Sequence, residues 1–533
     1  MNRKRIYENI GLKDEGVSKT TDSGEKIIAN PMWGRNLQNN IDTNEQKMNV
    51  VFIQRGKEKS IDIPREDYLN PTQLINYQKY GVDIRKDNVN DLAKYFRDEE
   101  EYVEEILEHN RLGFGTYEDK EIYKHHEAIG VESKYCGELD IKPRGSKEKS
   151  MKLIKEEIIG HAPALLAMLF GLAAILVPYI AQSNERDTII LHMVGNSTTG
   201  KSTLCKFVIS LFANPSAKGN GLFLTYNATM NALFKKLTGI NGLPVAIDEI
   251  SMAKFNKDQD FVYILASGNE KLRLNKDSEF KESGKWCGTV LSNGERSLAK
   301  MGSKNAGIQV RVFEALNFIW TKSAEHAEKI NEIIMKNYGY VGIEFAEYVM
   351  RKDKDELREK IEQYINKIQE YMRSLGVVDN FTKRRLNTYA VIYLTGKLFG
   401  EMIGSELDMN GIVELFVKME KESIESRNFD DNIIEYIKTY VSANSNKFMK
   451  IGDDSSNEYW GTIRNKKDYT EIAFNKLRFE EMLEKGGYED KDVVLNELKT
   501  SKLLSHDKDR FTRKRKNNTG MKVPMIVVKV YEE

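Results

Sequence analysis

The sequence predicts an α/β chain: an open, mostly parallel sheet covered by helices, with an α+β module before it and a winged helix after it. Three observations carry this. Residues 151–320 alternate apolar strand runs with helical stretches, the pattern of a parallel sheet. A glycine-containing turn at 195–202 falls between one such strand and one such helix. From residue 461 the chain reads helix, helix, basic loop and strand, the order in which a winged helix ends.

Composition sets the limits. The chain has 533 residues, enough for about two to four domains. Charged residues make up 30% and hydrophobic residues 40%, with a formal net charge of +0. Any nucleic-acid footprint is therefore local. The 3 cysteines, Cys136, Cys205 and Cys287, lie far apart, which excludes a disulfide scaffold and a cysteine-based zinc site and favours a reducing, cytoplasmic setting. The basic start, MNRKRIYENIG, has no apolar run behind it and is not expected to be a signal peptide.

Taken in order, residues 1–25 are polar and read as a flexible tail. Residues 26–150 read as an α+β module. Its strands include a hairpin turning at Arg55–Gly56, and 71–112 reads as helical with Asn88 or Asn90 as cap. A Gly/Lys/Ser-rich linker, PRGSKEKS, ends it. The uncharged run 162–181 is long enough to cross a membrane. Pro163, Pro178 and Gly171 interrupt it, and no aromatic belt or Lys/Arg asymmetry flanks it. It is expected to be a buried core helix, with no membrane as partner. Strands are expected at 189–194, 243–247, 286–292 and 310–319, and a helix at 202–212. Residues 322–445 are helical, broken at Asp379–Asn380. The expected division is a core at 151–400, a helical linker at 401–450 and the winged helix at 451–533.

The turn Gly195-Asn196-Ser197-Thr198-Thr199-Gly200-Lys201-Ser202 matches GxxxxGK[ST] in full. Backbone N–H groups of such a loop cradle phosphates, with Thr203 following them into the helix. Lys201 is expected to neutralise the β- and γ-phosphates and the Ser202 hydroxyl to ligate Mg²⁺. About fifty residues on, the apolar run LPVAI delivers Asp248 and Glu249 at a strand's carboxyl end, where ligands bind in such sheets. Asp248 is expected to hold Mg²⁺ and Glu249 to polarise the attacking water. The cofactors are thus ATP and Mg²⁺. At the next strand end Asn293, or less readily Ser292, can reach the γ-phosphate or the water.

Several basic groups invite a functional or a plain surface reading. Lys271, Arg273 and Lys276 lie in an expected hairpin turning near Asp277–Ser278, where they can touch nucleic-acid phosphates or simply face solvent. Arg311 starts an apolar strand, from which an arginine can reach a neighbouring subunit's γ-phosphate. Lys383-Arg384-Arg385 can do similar work. The wing residues Arg510, Arg513, Lys514, Arg515 and Lys516 are placed to lie along phosphates. His125–His126 lacks a third ligand and reads as structural.

With these residues in view, the chain resembles the "domain of unknown function 927" family, MCM-like AAA+ helicases of mobile genetic elements such as staphylococcal cassette chromosomes and pathogenicity islands. HAPALLAMLFG, VGNSTTGKST, YNATMNALFKKL, PVAIDEI, SGNEKLRLNKDSEF, KWCGTVLSNGE, NAGIQVRVFEAL and RRLNTYAVIYLTGKL carry the resemblance in that order. It implies an AAA+ P-loop core and a homo-oligomeric, hexameric ring moving on single-stranded DNA. Lys201, Ser202, Asp248, Glu249 and Asn293 would act in one subunit. Arg311 would be the arginine finger of the next, and Arg384 or Arg385 the second sensor. The hairpin would line the channel and the winged helix would contact origin DNA. Gly294 and Glu295 depart from the usual wording after the sensor asparagine. A primase or polymerase of the same element is the implied partner. The competing functions are an ATP-switched initiator or loader that unwinds nothing, and an NTPase with no DNA track.

Overall fold

The computed structural model describes residues 5–7, 9–181, 188–218, 220–252, 260–270, 273–274, 280–281, 283–298, 310–427, 429–449, 458–486, 488, 491–508, 510–517 and 520–531. Lys271 and Lys276 lie outside these residues, and only the backbone of Arg273 is described.

The beginning of the chain differs from the expected tail. Strands Arg5–Tyr7, Ile10–Lys13, Gly16–Thr21 and Gly24–Ala29 form an antiparallel meander. Ile10, Leu12 and Val17 are buried in one core with Leu92 and Phe96 of the helix Val89–Glu99. Apolar residues at alternate positions were enough to tie this segment down. A five-stranded sheet follows, ordered Ser133–Tyr135, Glu104–His109, Met32–Asn40, Gln46–Gln54, Lys57–Pro64. Its last hairpin turns at Arg55 (φ 51°) and Gly56 (φ 73°), as a tight two-residue turn needs. Asn88 does sit at the helix start. Its side chain, however, accepts from Arg85 N and donates to the carbonyls of Ile28 and Asp83 instead of capping the helix. Residues 104–109, expected as helix, are a strand paired in parallel with Met32–Asn40.

The central sheet has eight strands. Along it run Ala128–Ile129, Lys120–Lys124, Leu112–Tyr117, Ile240–Asp248, Cys287–Gly294, Ile189–Val194 and Val312–Leu316. Phe223–Thr225 shares the Ile240–Asp248 edge with Leu112–Tyr117. The strands from Ile189 onward are mutually parallel, so their carboxyl ends lie on one side. The hairpin at 112–124 thus extends this sheet, although the sequence reading placed it in the N-terminal module.

The helix Ala162–Ile180 packs against the central sheet, with every residue from 164 to 176 buried. It is apolar enough to span a membrane, yet 83% of its most apolar window lies inside the fold. Being covered on all sides, it needs no polar face. At Gly171 it meets the helix Lys201–Ser210 so closely that a Cβ would lie 2.2 Å from Val208 Cγ1. Helices Ala324–Ile334, Val341–Met350, Lys354–Ser374 and Asn380–Ile403 complete this body. The predicted break at 379–380 is a helix start, where Asp379 and Thr382 form a reciprocal cap.

The expected linker at 401–450 is divided between two cores. Ile412 and Phe416 of the helix Met409–Arg427 belong to the central one. Ile433, Ile437 and Val441 of the helix Phe429–Ala443 pack with Trp460, Phe474 and Met482 of the C-terminal module. That module also opens on a hairpin, Gly461–Asn465 with Thr470–Phe474, where helix was expected. Helices Lys476–Lys485 and Lys491–Thr500 follow, and Arg513–Lys516 pairs with Lys522–Val530 as a wing.

Candidate nucleotide site

The phosphate loop lies at the carboxyl end of Ile189–Val194 and opens the helix Lys201–Ser210. Thr198 (φ 71°) and Gly200 (φ 87°) take left-handed backbone conformations, which turn successive N–H groups toward one concavity. Only glycine serves at 200, because a Cβ there would lie 2.4 Å from Thr321 Oγ1. Trp320 N donates to Thr199 O at 3.0 Å, and Asn331 Nδ2 donates to Thr203 Oγ1 at 3.2 Å. The segment 320–331 therefore braces the loop from outside. Lys201 is 8% exposed, and its ammonium donates to the carbonyls of Gly195 (2.9 Å) and Asn196 (2.6 Å). Ser197 Oγ donates to Glu295 Oε1 at 2.7 Å. The acidic residue that departs from the family wording thus ties the next strand end to the loop.

The carboxylates sit beside it. Ser202 Oγ donates to Asp248 Oδ1 at 2.7 Å. Asn293 Nδ2 donates to the same oxygen, and its Oδ1 accepts from Glu249 N at 2.9 Å. Asn293 therefore fixes both acids, and it holds Glu249 at a left-handed φ of 64°, a conformation that costs about 1–3 kcal/mol for a residue with a side chain. Ser251 Oγ donates to Glu249 Oε1. Ser292 points to the opposite face of its strand. There it is buried between His192 Nδ1 (2.9 Å) and Tyr226 Oη (2.7 Å), and burial pushes the His192 pKa down. Strand alternation thus puts Asn293, and not Ser292, on the face of the two acids. A hydroxyl and a carboxylate oxygen in contact, beside a loop of inward amides, fit Mg²⁺ with a triphosphate. Among the described residues no cluster of three His, Cys, Asp or Glu offers a different metal site.

Arg311 stands at the other end of the sheet, just before Val312–Leu316. That strand runs parallel to Ile189–Val194, with Val312 beside Ile190 and Leu316 beside Val194. Arg311 is therefore roughly 20 Å along the strands from its own phosphate loop, beyond the reach of its side chain. It lines a cavity of about 450 Å³ together with exposed Arg384. Arg385 turns inward from the same helix. It is ion-paired with Glu420, both fully buried, and donates to Val312 O at 2.9 Å with its charge 4.2 Å from the Phe313 ring centre. Of Arg384 and Arg385, only Arg384 lines that cavity.

The sequence from residue 6 to 285, spanning the phosphate loop and both carboxylates, matches the family described as "Domain of unknown function (DUF927)". The chain belongs to the DUF927 family. Residues 429–533 match a second family, the "Cch helix turn helix domain". Its start coincides with the helix Phe429–Ala443 that the C-terminal core includes. Among curated proteins no sequence matches the chain. Among solved structures the DUF927 chain is similar to one titled "SCCmec type IV Cch - active helicase", with 22% identity and a TM-score of 0.80, over 99% of this chain and 98% of that one. The two therefore share a fold from end to end.

In the C-terminal module of this DUF927 chain the wing residues do not act alike. Arg515 makes two hydrogen bonds to buried Glu471, at 2.8 and 2.7 Å, which hold the Glu471 pKa below its ordinary value. Its guanidinium is thus engaged by a carboxylate of the same module. Arg513 bonds Ser505 Oγ at 2.7 Å, while Lys514 and Lys516 lie exposed on the opposite face. The hairpin of Arg273–Leu274 with Phe280–Lys281 forms as expected. Sequence reading missed Thr321, Asn331 and Ser251 around the loop, because nothing in their spacing marks them.

Proposed function

We propose that this chain is an ATP-driven DNA helicase, working as a hexameric ring on single-stranded DNA during replication of a mobile genetic element. One observation carries the reading: the nucleotide machinery is split between opposite ends of one sheet. The phosphate loop, Asp248, Glu249 and Asn293 lie at one end, and Arg311 and Arg384 at the other. A head-to-tail contact between copies completes such a site, and head-to-tail contacts close into rings. The end-to-end likeness to a structure titled an active helicase, and the match to a helix-turn-helix family, support a DNA track.

Lys201 and the loop amides would bind the β- and γ-phosphates. Bound Mg²⁺ would neutralise phosphate charge, held by Ser202 and Asp248. Ser251 occupies Glu249 Oε1, which leaves Oε2 to orient the attacking water and accept its proton. Asn293 keeps the two acids in register. Arg311 and Arg384 of the next subunit would stabilise charge developing on the γ-phosphate. DNA contacts are assigned to Lys271, Arg273 and Lys276, on the sequence, and to Arg513, Lys514 and Lys516 of the wing.

The test is hydrolysis with and without single-stranded DNA, alongside strand displacement. DNA should accelerate hydrolysis, and displacement should require it. Lys201→Ala should lower turnover by about 100-fold or more. Glu249→Gln should bind ATP without turning it over. Hydrolysis indifferent to DNA, with no displacement, would instead favour an ATP-switched initiator.

A further inference from the structure

The cavity that holds Arg311 and Arg384 contains a third arginine. We propose that Arg358 binds the phosphates of the nucleotide carried by the neighbouring copy of this chain, beside Arg311 and Arg384. The inference rests on the ring reading above and extends it to a residue that no sequence motif marks.

Three elements bring the arginines together. Arg311 comes from just before the strand Val312–Leu316, Arg358 from the helix Lys354–Ser374 and Arg384 from the helix Asn380–Ile403. Among the described residues lining the cavity, Glu362 is the sole carboxylate. Like charges that line one cavity repel one another, and more so as water is excluded. Glu362 by itself does not match three positive charges on the described lining. A triphosphate entering from the neighbour does, because it brings several negative charges to the shared space.

Arg358 is also held ready. Its Nε donates to Ile180 O at 2.9 Å and its Nη1 to Asp355 Oδ1 at 2.5 Å. Ile180 ends the buried helix Ala162–Ile180, whose last carbonyls carry partial negative charge. The head group is therefore oriented from the protein interior, and neither contact uses its Nη2 edge. Asp355 is 83% exposed, so its pairing is weakly held and exchanges readily for phosphate oxygen. Capping Ile180 needs only one N–H donor. It does not account for a full guanidinium set among two others.

Subunit mixing separates the two roles. Arg358→Gln keeps an N–H donor for the Ile180 carbonyl and removes the charge. Alone it should hydrolyse ATP at least about 10-fold more slowly than wild type. Mixed in equal amounts with Lys201→Ala, itself inactive, it should recover to about a quarter of the wild-type rate per subunit. That is the share of interfaces pairing an intact phosphate loop with an intact Arg358. A residue that only caps its own helix cannot be rescued by a neighbour. If Arg358→Gln does not fold, Arg358→Lys is read in the same mixture, with a smaller loss and the same recovery expected. Wild-type activity of the variant alone, or no recovery on mixing, overturns the proposal. Arg311→Ala mixed with Lys201→Ala is the reference. If that pair recovers and the Arg358 pair does not, Arg358 alone is wrongly assigned. If neither recovers, the ring reading fails with it.

Discussion

Arg384 and Arg385 are neighbours in sequence and opposites in environment. One is exposed in the arginine cavity; the other is sealed beside Glu420, Tyr389 and Phe313. Truncating one partner of a buried ion pair strands the other charge, at about 3–5 kcal/mol. Arg385→Ala should therefore cost that much in urea unfolding, while Arg384→Ala should leave the midpoint unchanged and lower turnover. A drop in stability for Arg384→Ala would reverse the assignment. That the phosphate loop and the two acids come together was legible because each motif is local and sits at a strand's carboxyl end. The choice between 384 and 385 was not, since a step of one residue turns a helix by about 100° and only tertiary neighbours say which direction is inward. The partner of Arg515 was hidden for a related reason. Alternation along a strand puts 513 and 515 on one face, but Glu471, which claims Arg515, lies 44 positions away.

At the scale of elements, the close approach of Ala162–Ile180 to Lys201–Ser210 has a measurable sign. A methyl at Gly171 would press on Val208, and such overpacking costs about 1–3 kcal/mol. Replacing a helical glycine by alanine otherwise gains about 1 kcal/mol. Gly171→Ala should therefore destabilise the wild-type chain and stabilise a Val208→Ala background, as read by thermal unfolding. The same sign in both backgrounds would mean that the contact does not limit packing there. The long apolar helix was legible because it carries no polar face at all. Residues 104–109 were not: EEILEH shows no alternation, and its parallel pairing with Met32–Asn40 is a long-range contact that overrode local preference. The strands at 461–474 were missed likewise, being held by Lys522–Val530 far along the chain.

For the whole molecule, two expectations follow from where its cores lie. Burial and the neighbouring His126 push the His125 pKa down to about 3 from an ordinary 6.5. The unfolded chain gains this proton below pH 6.5 and the folded chain does not. Stability is thus intact above that pH and falls by about 1.4 kcal/mol per unit from this histidine alone, as the pH drops toward 3. His125→Gln should flatten that slope in unfolding titrations, and an unchanged slope would exclude His125 as its source. The second concerns boundaries. A fragment of residues 429–533 should unfold cooperatively, since it retains Ile433, Ile437 and Val441. A fragment of 451–533 should not. The sequence put the border at 450–451, but a border holds only where no side chains reach across it, and Ile433, Ile437 and Val441 do.

The hairpin at 112–124 gives the front of the chain an unexpected tenure. It lies alongside Ile240 and Asn241, the opening residues of the strand that ends in Asp248. Trimming the protein back to residue 146 would bare that backbone margin and invite other polypeptides to stick there. A lineage exchanging one front module for another would have to keep these few residues, or mend the seam with new ones.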